Sequence, residues 1–146
     1  MTLTVEIARV VNDDLVEGLN RLLPQLSSNV ATLTHADVTR LVESPASILF
    51  VARSDGSMVG TLTLVVFAIP TGLRAWIEDV IVDESARGMG VGEALTVAAV
   101  GEAHGRNVRS IDLTTRPSRE AANRLYARLG FELRETNVYR FFLEDR

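Results

Sequence analysis

The sequence predicts an α/β fold built on one mixed sheet with helices on both faces. Two observations carry this prediction. The first half holds apolar, β-branched runs separated by short turns such as S-D-G-S, which is typical of antiparallel hairpins. The second half alternates strand-like runs with helical periods, which is typical of βαβ crossovers. The 146 residues, 47% of them hydrophobic, are expected to form a single domain over residues 1–146.

The element order follows from where these patterns fall along the chain. Apolar runs bounded by turn residues predict strands over residues 4–10, 48–53, 58–69, 74–82, 108–115 and 131–143, the last of which could be two strands. Helical periods predict helices from Asn12 or Asp13 to about Leu23, over 34–44, from about Gly90 to His104, and from Pro117 and Ser118 to Gly130. The predicted order is therefore β-α-α-β-β-β-α-β-α-β.

Capping residues set the ends of these helices. An Asn12 or Asp13 side chain can accept a hydrogen bond from the first turn, and Pro24 ends or bends the first helix. Gly105 is expected to stop the third helix, and Gly130 is expected to be the C′ residue of the last.

Charge and hydropathy exclude two classes of partner. The net charge is −4 with both signs interspersed, so nucleic-acid binding is not predicted. No apolar run approaches the ~18 residues that a membrane helix needs. The N-terminal stretch lacks the basic start and long apolar core of a signal peptide, so a cytoplasmic protein is expected.

Two missing residue types exclude several kinds of chemistry. Without cysteine there is no thiolate zinc site and no cysteine nucleophile. All fifteen basic residues are arginine, so Schiff-base catalysis and the lysine of a P-loop are excluded too. His35 and His104 have no partners that would form a ligand set or a triad, and both are interpreted as structural. No metal site is expected.

The run R-G-M-G-V-G, from Arg87 to Gly92, lies where a predicted strand passes into a helix. Glycines let the backbone approach an anion closely, and a helix N-terminus offers free N–H groups to it. The spacing is not the dinucleotide fingerprint, because Glu93 occupies the position of its third glycine. The alternatives are a phosphate-binding loop and a purely structural turn.

Two motifs together resemble the GCN5-related N-acetyltransferase (GNAT) family. The segment I-E-D-V-I-V-D-E-S-A-R-G-M-G-V-G-E-A-L is similar to the family's acetyl-CoA-binding motif, and N-R-L-Y-A-R-L-G-F to its second signature. Both occur in the family's order, and the predicted elements match that fold along essentially the whole chain. The resemblance implies a three-layer αβα fold with a splayed central sheet. It also implies transfer of acetyl from acetyl-CoA, as co-substrate and without metal, to an amine.

The resemblance also assigns residues to the coenzyme. The backbone of Ile81 and Val82 would pair with the pantetheine arm, while their side chains could equally be plain core residues. Asn123 would bond that arm or the neighbouring loop, and the alternative is an ordinary exposed polar residue. The pyrophosphate would lie against the loop of Arg87, Gly88, Met89, Gly90, Val91 and Gly92.

Tyr126 is the candidate general acid. A phenol is protonated at neutral pH and can donate to the leaving thiolate of coenzyme A. In the family a Tyr at this motif position usually has that role. The alternative is an amphipathic Tyr packed at the edge of a helix.

Glu78 and Asp79 are the candidates for the amine end of the site. Acidic residues are poor strand formers, so two of them within W-I-E-D-V-I-V call for a reason. Because neighbouring strand residues point to opposite faces, a bulge would be needed to re-aim one of them. Glu78 is favoured as base or amine anchor, with Asp79 second. The alternative is a surface salt bridge to an arginine.

Other questions stay open at this level. The acceptor could be the amine of a small molecule or of a peptide. It would be selected by residues of about 20–45 and of the 68–74 hairpin, with Arg116 and Arg119 as possible anion contacts. A homodimer through residues 131–143 is possible. A non-catalytic acetyl-CoA-binding module of the same fold and an unrelated nucleotide-binding domain are the rival functions.

Overall fold

The structure is a computed structural model that describes residues 2–144. Residues up to Thr114 form one compact unit, and residues from Thr115 onward form a second. The single domain expected over residues 1–146 therefore stays a prediction. No helix in the described part of the chain is long and apolar enough to cross a membrane.

The first unit contains most of the regular structure. Its strands are β1 (Leu3–Ile7), β2 (Ser47–Ser54), β3 (Ser57–Ile69), β4 (Gly72–Val82) and β5 (Ile111–Asp112). Its helices are α1 (Asp13–Leu22), α2 (His35–Glu43) and α3 (Val91–Gly105), with short 3-10 turns at Leu23–Gln25 and Glu84–Ala86. The second unit contains α4 (Glu120–Arg128).

The five strands form one mixed sheet in the order β1-β2-β3-β4-β5. The first four pair antiparallel, and β4 pairs parallel with β5 through Ala75 and Trp76 alone. Asp55 and Gly56 both have positive φ at the β2–β3 turn, as a tight hairpin requires. Beyond Trp76 no described residue pairs with β4 on the side of β5, which agrees with the opening of the sheet that the family resemblance implies.

Helices cover both faces of this sheet. Leu15 and Leu19 of α1 and Val38 of α2 form one buried cluster with strand residues on the first face, among them Val51 and Ile81. On the opposite face α3 packs so closely at Gly60 that a Cβ there would lie 2.7 Å from Val91 Cγ1. The predicted three-layer αβα arrangement is therefore confirmed.

The helix ends are partly as predicted. Asn12 caps α1, and Pro24 lies in the 3-10 turn that follows it. The third helix ends at Gly105 as predicted, and the left-handed residue that follows its C-cap is Asn107, with φ 61°. Val108 N donates to Ala103 O and Asn107 N to His104 O, which is a Schellman motif with asparagine at C′.

The largest correction concerns the predicted strand over residues 131–143, because no described residue of that range is in a strand. Its apolar side chains are exposed: Leu133, Tyr139, Phe141 and Leu143 are 88–99% accessible. The segment is rich in residues that favour strands, but it pairs with no other strand in the described structure. Residue preference alone does not form a strand. The predicted strand over 108–115 is reduced to Ile111–Asp112.

The start of α4 also differs from the prediction. The helix begins after Arg119 rather than at Pro117 and Ser118, and no side chain caps it. Ser118 instead accepts a hydrogen bond at its carbonyl from Glu120 N within the preceding turn.

Candidate active site

The glycine loop ends at an uncapped helix. Gly90 is the N-cap of α3, with φ 81° and no side chain to offer to the first turn. Gly88 has φ 78°, and a Cβ at either glycine would meet no atom within 4 Å. Positive φ, and not crowding, is therefore the reason for glycine at both positions. The first-turn N–H groups of a helix have no partners within it, so this open, bare loop fits a phosphate group.

A polar network from the first helix holds the start of this loop. Asp83 accepts hydrogen bonds from Arg21 Nη1 at 3.0 Å, from Gln25 Nε2 at 3.3 Å and from Ser85 N at 3.4 Å. Gln25 Oε1 accepts in turn from Glu84 N at 3.0 Å. Arg21 and Gln25 were missed by sequence reasoning, and no local signal could have found them, because they lie about sixty residues away.

The same network shifts the pKa of Asp83. Burial alone would raise the pKa of this carboxyl. The hydrogen bonds from Ser85 N and Gln25 and the positive charge of Arg21 outweigh burial and hold the pKa below its ordinary value. The carboxylate is therefore ionised at neutral pH and keeps the loop attached to the first helix.

A β-bulge lies where the acidic pair is. The β3–β4 register passes from Thr63↔Glu78 to Thr61↔Ile81, so Asp79 and Val80 together oppose a single residue. Asp79 has φ 49°, a left-handed conformation that glycine usually takes in such bulges. The hypothesis of a bulge at this pair is confirmed. Because the bulge shifts the pleat by one residue, Glu78 and Ile81 project from the same face.

The acidic pair forms no ion pair with the described part of the chain. Glu78 and Asp79 are both exposed. Within residues 2–144 neither lies within ion-pair distance of an arginine. The alternative of a surface salt bridge is therefore not formed in the described chain. The roles of both residues stay predictions.

The strand edge beside the loop is open. Beyond Trp76 no residue of β4 pairs with β5 in the described structure. Ile81 is buried at 4% accessibility in the cluster under α1, so its side chain belongs to the core while its backbone lies along this edge. An extended, amide-bearing molecule can pair with such an edge as an added strand. Contact of Ile81 and Val82 with the coenzyme stays a prediction.

Tyr126 is fixed by the end of α4 in the second unit. Phe131 N donates to Tyr126 O at 2.9 Å and Gly130 N to Ala127 O at 3.1 Å, with Gly130 at φ 102°. This is a Schellman motif, and Gly130 is its C′ residue as predicted. The Phe131 ring packs edge-on against Tyr126 with centroids 5.6 Å apart. The motif L-G-F thus has a physical role, since it orients the tyrosine ring.

The environment of Tyr126 keeps its hydroxyl protonated. Burial raises the pKa of the phenol, and the positive charge of Arg119 only partly offsets this. The side chain is half-buried. A phenol in this state can donate a hydrogen bond or a proton at neutral pH.

Asn123 uses its amide donors within the second unit. Its Nδ2 donates to Arg116 O at 3.0 Å and to Arg119 O at 2.8 Å. Of the two predicted contacts, the neighbouring loop is therefore the one that the structure forms. A coenzyme contact stays a prediction and would have to use the remaining Oδ1.

The candidate residues divide between the two units. Glu78, Asp79, Ile81, Val82 and the glycine loop follow one another in the first unit, whereas Asn123 and Tyr126 belong to the second. A shallow cavity of about 450 Å³ beside Ile7, Arg9, Ser44 and Arg106 contains none of them. In the described residues no three metal-ligating side chains come together.

Comparison with known proteins gives consistent results. The chain matches the model of the acetyltransferase (GNAT) family over residues 15–131. Among curated proteins nothing matches. A structure from Agrobacterium tumefaciens str. C58, assigned as an acetyltransferase, is 26% identical with a TM-score of 0.84, over 95% of this chain and 99% of that one.

Two further solved structures share the fold. An aminoglycoside acetyltransferase from an uncultured soil metagenomic sample is 20% identical with a TM-score of 0.84, over 98% of this chain and 97% of its own. Glucosamine-6-phosphate N-acetyltransferase from Arabidopsis thaliana is 19% identical with a TM-score of 0.79, over 95% and 99% of the two chains.

Proposed function

This chain belongs to the acetyltransferase (GNAT) family, and on that premise we propose that it moves an acetyl group from acetyl-CoA directly to a primary amine. The observation that carries the proposal is the sequence of three features along one segment. Within residues 2–144, carboxylates without an arginine partner at the β4 bulge are followed by a strand edge that pairs with no other strand, and then by a helix start without a side-chain cap.

The first unit supplies the groups for the coenzyme. The N–H groups at the start of α3 and the loop from Arg87 to Gly92 would hold the pyrophosphate. The open edge of β4 at Ile81 and Val82 would pair with the pantetheine amides. When bound, acetyl-CoA supplies an acetyl group activated as a thioester.

Glu78 and Tyr126 would move the protons. Glu78, directly or through a water, would take a proton from the acceptor ammonium, so that its nitrogen can form the new bond to the acetyl carbon. The nitrogen of the tetrahedral intermediate would lose its second proton to water. As the carbon–sulfur bond breaks, Tyr126 would protonate the thiolate and regain a proton from solvent, while Glu78 would release its own to solvent, so that one proton is released per turnover. Asp79 would add negative charge that favours a cationic acceptor.

The runner-up is a non-catalytic module of the same fold that binds acetyl-CoA. The presence of Tyr126 at the motif position disfavours it, since a module that only binds acetyl-CoA does not need a proton donor. A small-molecule or peptide amine as acceptor and a homodimer are parts of the proposal that rest on the family, and a cytoplasmic location is carried over from the sequence prediction.

The test is thiol release. We expect free coenzyme A to appear when the protein is incubated with acetyl-CoA and a panel of primary amines. Calorimetry should give saturable binding of acetyl-CoA and none of NAD. Binding without turnover on any amine would favour the sensor, and no binding would overturn both.

Tyr126→Phe separates catalysis from packing. The ring and its contact with Phe131 remain, but the donor is removed. We expect kcat to fall about 10- to 1000-fold with coenzyme affinity little changed, in the range of a lost general acid. Turnover within a factor of two of wild type would make Tyr126 a packing residue.

Glu78→Gln tests the base through its pH dependence. An ammonium cannot attack, so the loss in kcat/KM should be largest near neutral pH and shrink in alkaline buffer, where the free amine is present. Asp79→Asn is the matched control and should act mainly on acceptor KM. A Glu78→Gln profile parallel to wild type at every pH would exclude Glu78 as the base.

A further inference from the structure

Within the first unit, the part of the sheet face next to Glu78 is less deeply buried than the part under α1 and α2. On this face Leu49, Val51 and Ile81 are buried under α1 and α2. Further along β3 and β4 the same face continues through three cross-strand pairs, Thr63 with Glu78, Val65 with Trp76 and Phe67 with Arg74. Of these six residues Glu78 is exposed and the others are half-buried. We refer to these three pairs as the open face.

Charge is distributed unevenly along the open face. At one end Arg74 Nη2 lies 2.6 Å from Asp112 Oδ2, so this guanidinium already has a carboxylate partner. At the other end Glu78, with Asp79 beside it, has no arginine partner in the described residues. Among the charged side chains of the open face, the negative charge without an arginine partner in the described residues therefore lies at the Glu78 end.

Trp76 lies between these two ends. Side chains at i and i+2 of a strand share a face, and the strand rises about 3.3 Å per residue, so Trp76 and Glu78 are offset by about 6–7 Å. The indole is the largest apolar side chain of the open face and has Val65 directly opposite. An aromatic face binds apolar groups and also attracts cations that lie within ~6 Å.

From this arrangement we infer that the acceptor is an arylalkylamine, with its ammonium at Glu78 and its ring on Trp76 and Val65. A short carbon arm between amine and ring matches the two-residue offset. A carboxylate or phosphate next to the amine would meet Glu78 and Asp79 with like charge. Amino acids and amino sugar phosphates are therefore disfavoured. The inference rests on the proposed function, because Glu78 is its amine end.

The single tryptophan of the chain allows a test that does not depend on turnover. Trp76 emission is recorded while phenethylamine is titrated into the protein with coenzyme A present. We expect a saturable change in emission. Ethylamine lacks the ring and should bind at least ~10-fold more weakly. Phenylalanine, which adds a carboxylate beside the amine, should bind more weakly as well.

Two variants supply the second readout. Trp76→Ala should raise the Michaelis constant for phenethylamine about 10-fold or more, leave that for ethylamine nearly unchanged and leave the coenzyme Kd unchanged. Trp76→Phe keeps an aromatic ring, guards against a folding defect and should restore most of the affinity. The coenzyme Kd reports the integrity of the first unit in both.

The outcomes separate this inference from the proposed function. The inference would be overturned, and the proposed function kept, if the protein acetylated phenethylamine and ethylamine equally well. The same would follow if Trp76→Ala raised the Michaelis constants of both amines equally. A clear preference for a hydrophilic polyamine would do the same, since carboxylates without Trp76 would then determine specificity. No turnover and no emission change with any amine would overturn both.

Discussion

The helices of the first unit begin in two different ways. Asn12 Oδ1 accepts from Leu15 N at 2.9 Å at the start of α1. Thr34 and Asp37 form a reciprocal capping box at the start of α2, with bonds of 3.1 and 2.8 Å. The third helix, α3, starts at a left-handed glycine without any side-chain cap. Side chains satisfy first-turn N–H groups in α1 and α2, whereas α3 has no side-chain cap, as the proposed pyrophosphate site requires.

The largest expected effect comes from blocking the uncapped start. Gly90→Trp would direct a bulky side chain into the open space before α3, and we expect coenzyme binding to be abolished with near-native circular dichroism. Gly56→Trp is the matched control, since Gly56 has φ 86° and equally open surroundings in the β2–β3 turn. It imposes the same backbone strain away from the loop. Unchanged affinity in a folded Gly90→Trp protein would remove the phosphate interpretation.

A smaller effect is expected when the loop is loosened instead of blocked. Gln25→Ala removes the bonds to Asp83 and Glu84, and we expect the coenzyme Kd to rise about 5-fold, the equivalent of roughly one net hydrogen bond. Calorimetry measures it. Arg106→Gln, which breaks an ion pair at the far end of α3, should leave Kd unchanged. Equal effects of the two variants would contradict a specific role for the network.

Removing the N-cap of α1 should lower the stability of the protein and leave coenzyme binding unchanged. Asn12→Ala removes the N-cap of α1 and should lower the free energy of unfolding by about 1 kcal/mol in urea denaturation. Coenzyme affinity should stay at the wild-type value. If Asn12→Ala lowered coenzyme affinity with little loss of stability, the cap of α1 would serve binding, and the proposed difference between the starts of α1 and α3 would be wrong.

The smallest expected effect is a change in the free energy of unfolding at acidic pH, which comes from Asp37 in the capping box of α2. The backbone hydrogen bond from Thr34 and its hydroxyl hold the pKa of Asp37 below its ordinary value of 3.8. Because the folded-state pKa is depressed, this contribution is complete above the ordinary pKa and is lost as pH falls through the folded value. The difference in unfolding free energy between wild type and Asp37→Ala should therefore narrow below about pH 4. A constant difference would mean that the charged carboxylate is not what stabilises the box.

The sequence predicted features that depend on local chemistry. The acidic pair in W-I-E-D-V-I-V predicted a bulge, because two carboxylates do not fit a regular half-buried strand. The R-G-M-G-V-G run predicted a bare helix start for a similar reason, since glycine is needed where φ is positive. Gly130 predicted the end of α4 on the same grounds.

The features that it missed depend on distant partners. Residues 131–143 have strand propensity, but the pattern does not say whether an edge is available to pair with. Arg21 and Gln25 are ordinary helix-surface residues until folding brings them to Asp83. The left-handed residue after α3 is Asn107 and not a glycine, because asparagine also tolerates that conformation.

The close packing at Gly60 constrains how this protein can vary. A Cβ at this position would meet Val91 Cγ1 at 2.7 Å, Ile81 O at 3.0 Å and Leu95 Cδ1 at 3.1 Å. Residue 91 is the first of α3 and residue 81 lies on the open edge, so one glycine separates the two surfaces proposed for the coenzyme. A side chain at position 60 would strain these well-packed contacts. We therefore expect a substitution of Gly60 to require a compensating substitution at a neighbouring position. A library that varies positions 60 and 91 together should recover alanine at the first position mainly with a residue smaller than valine at the second.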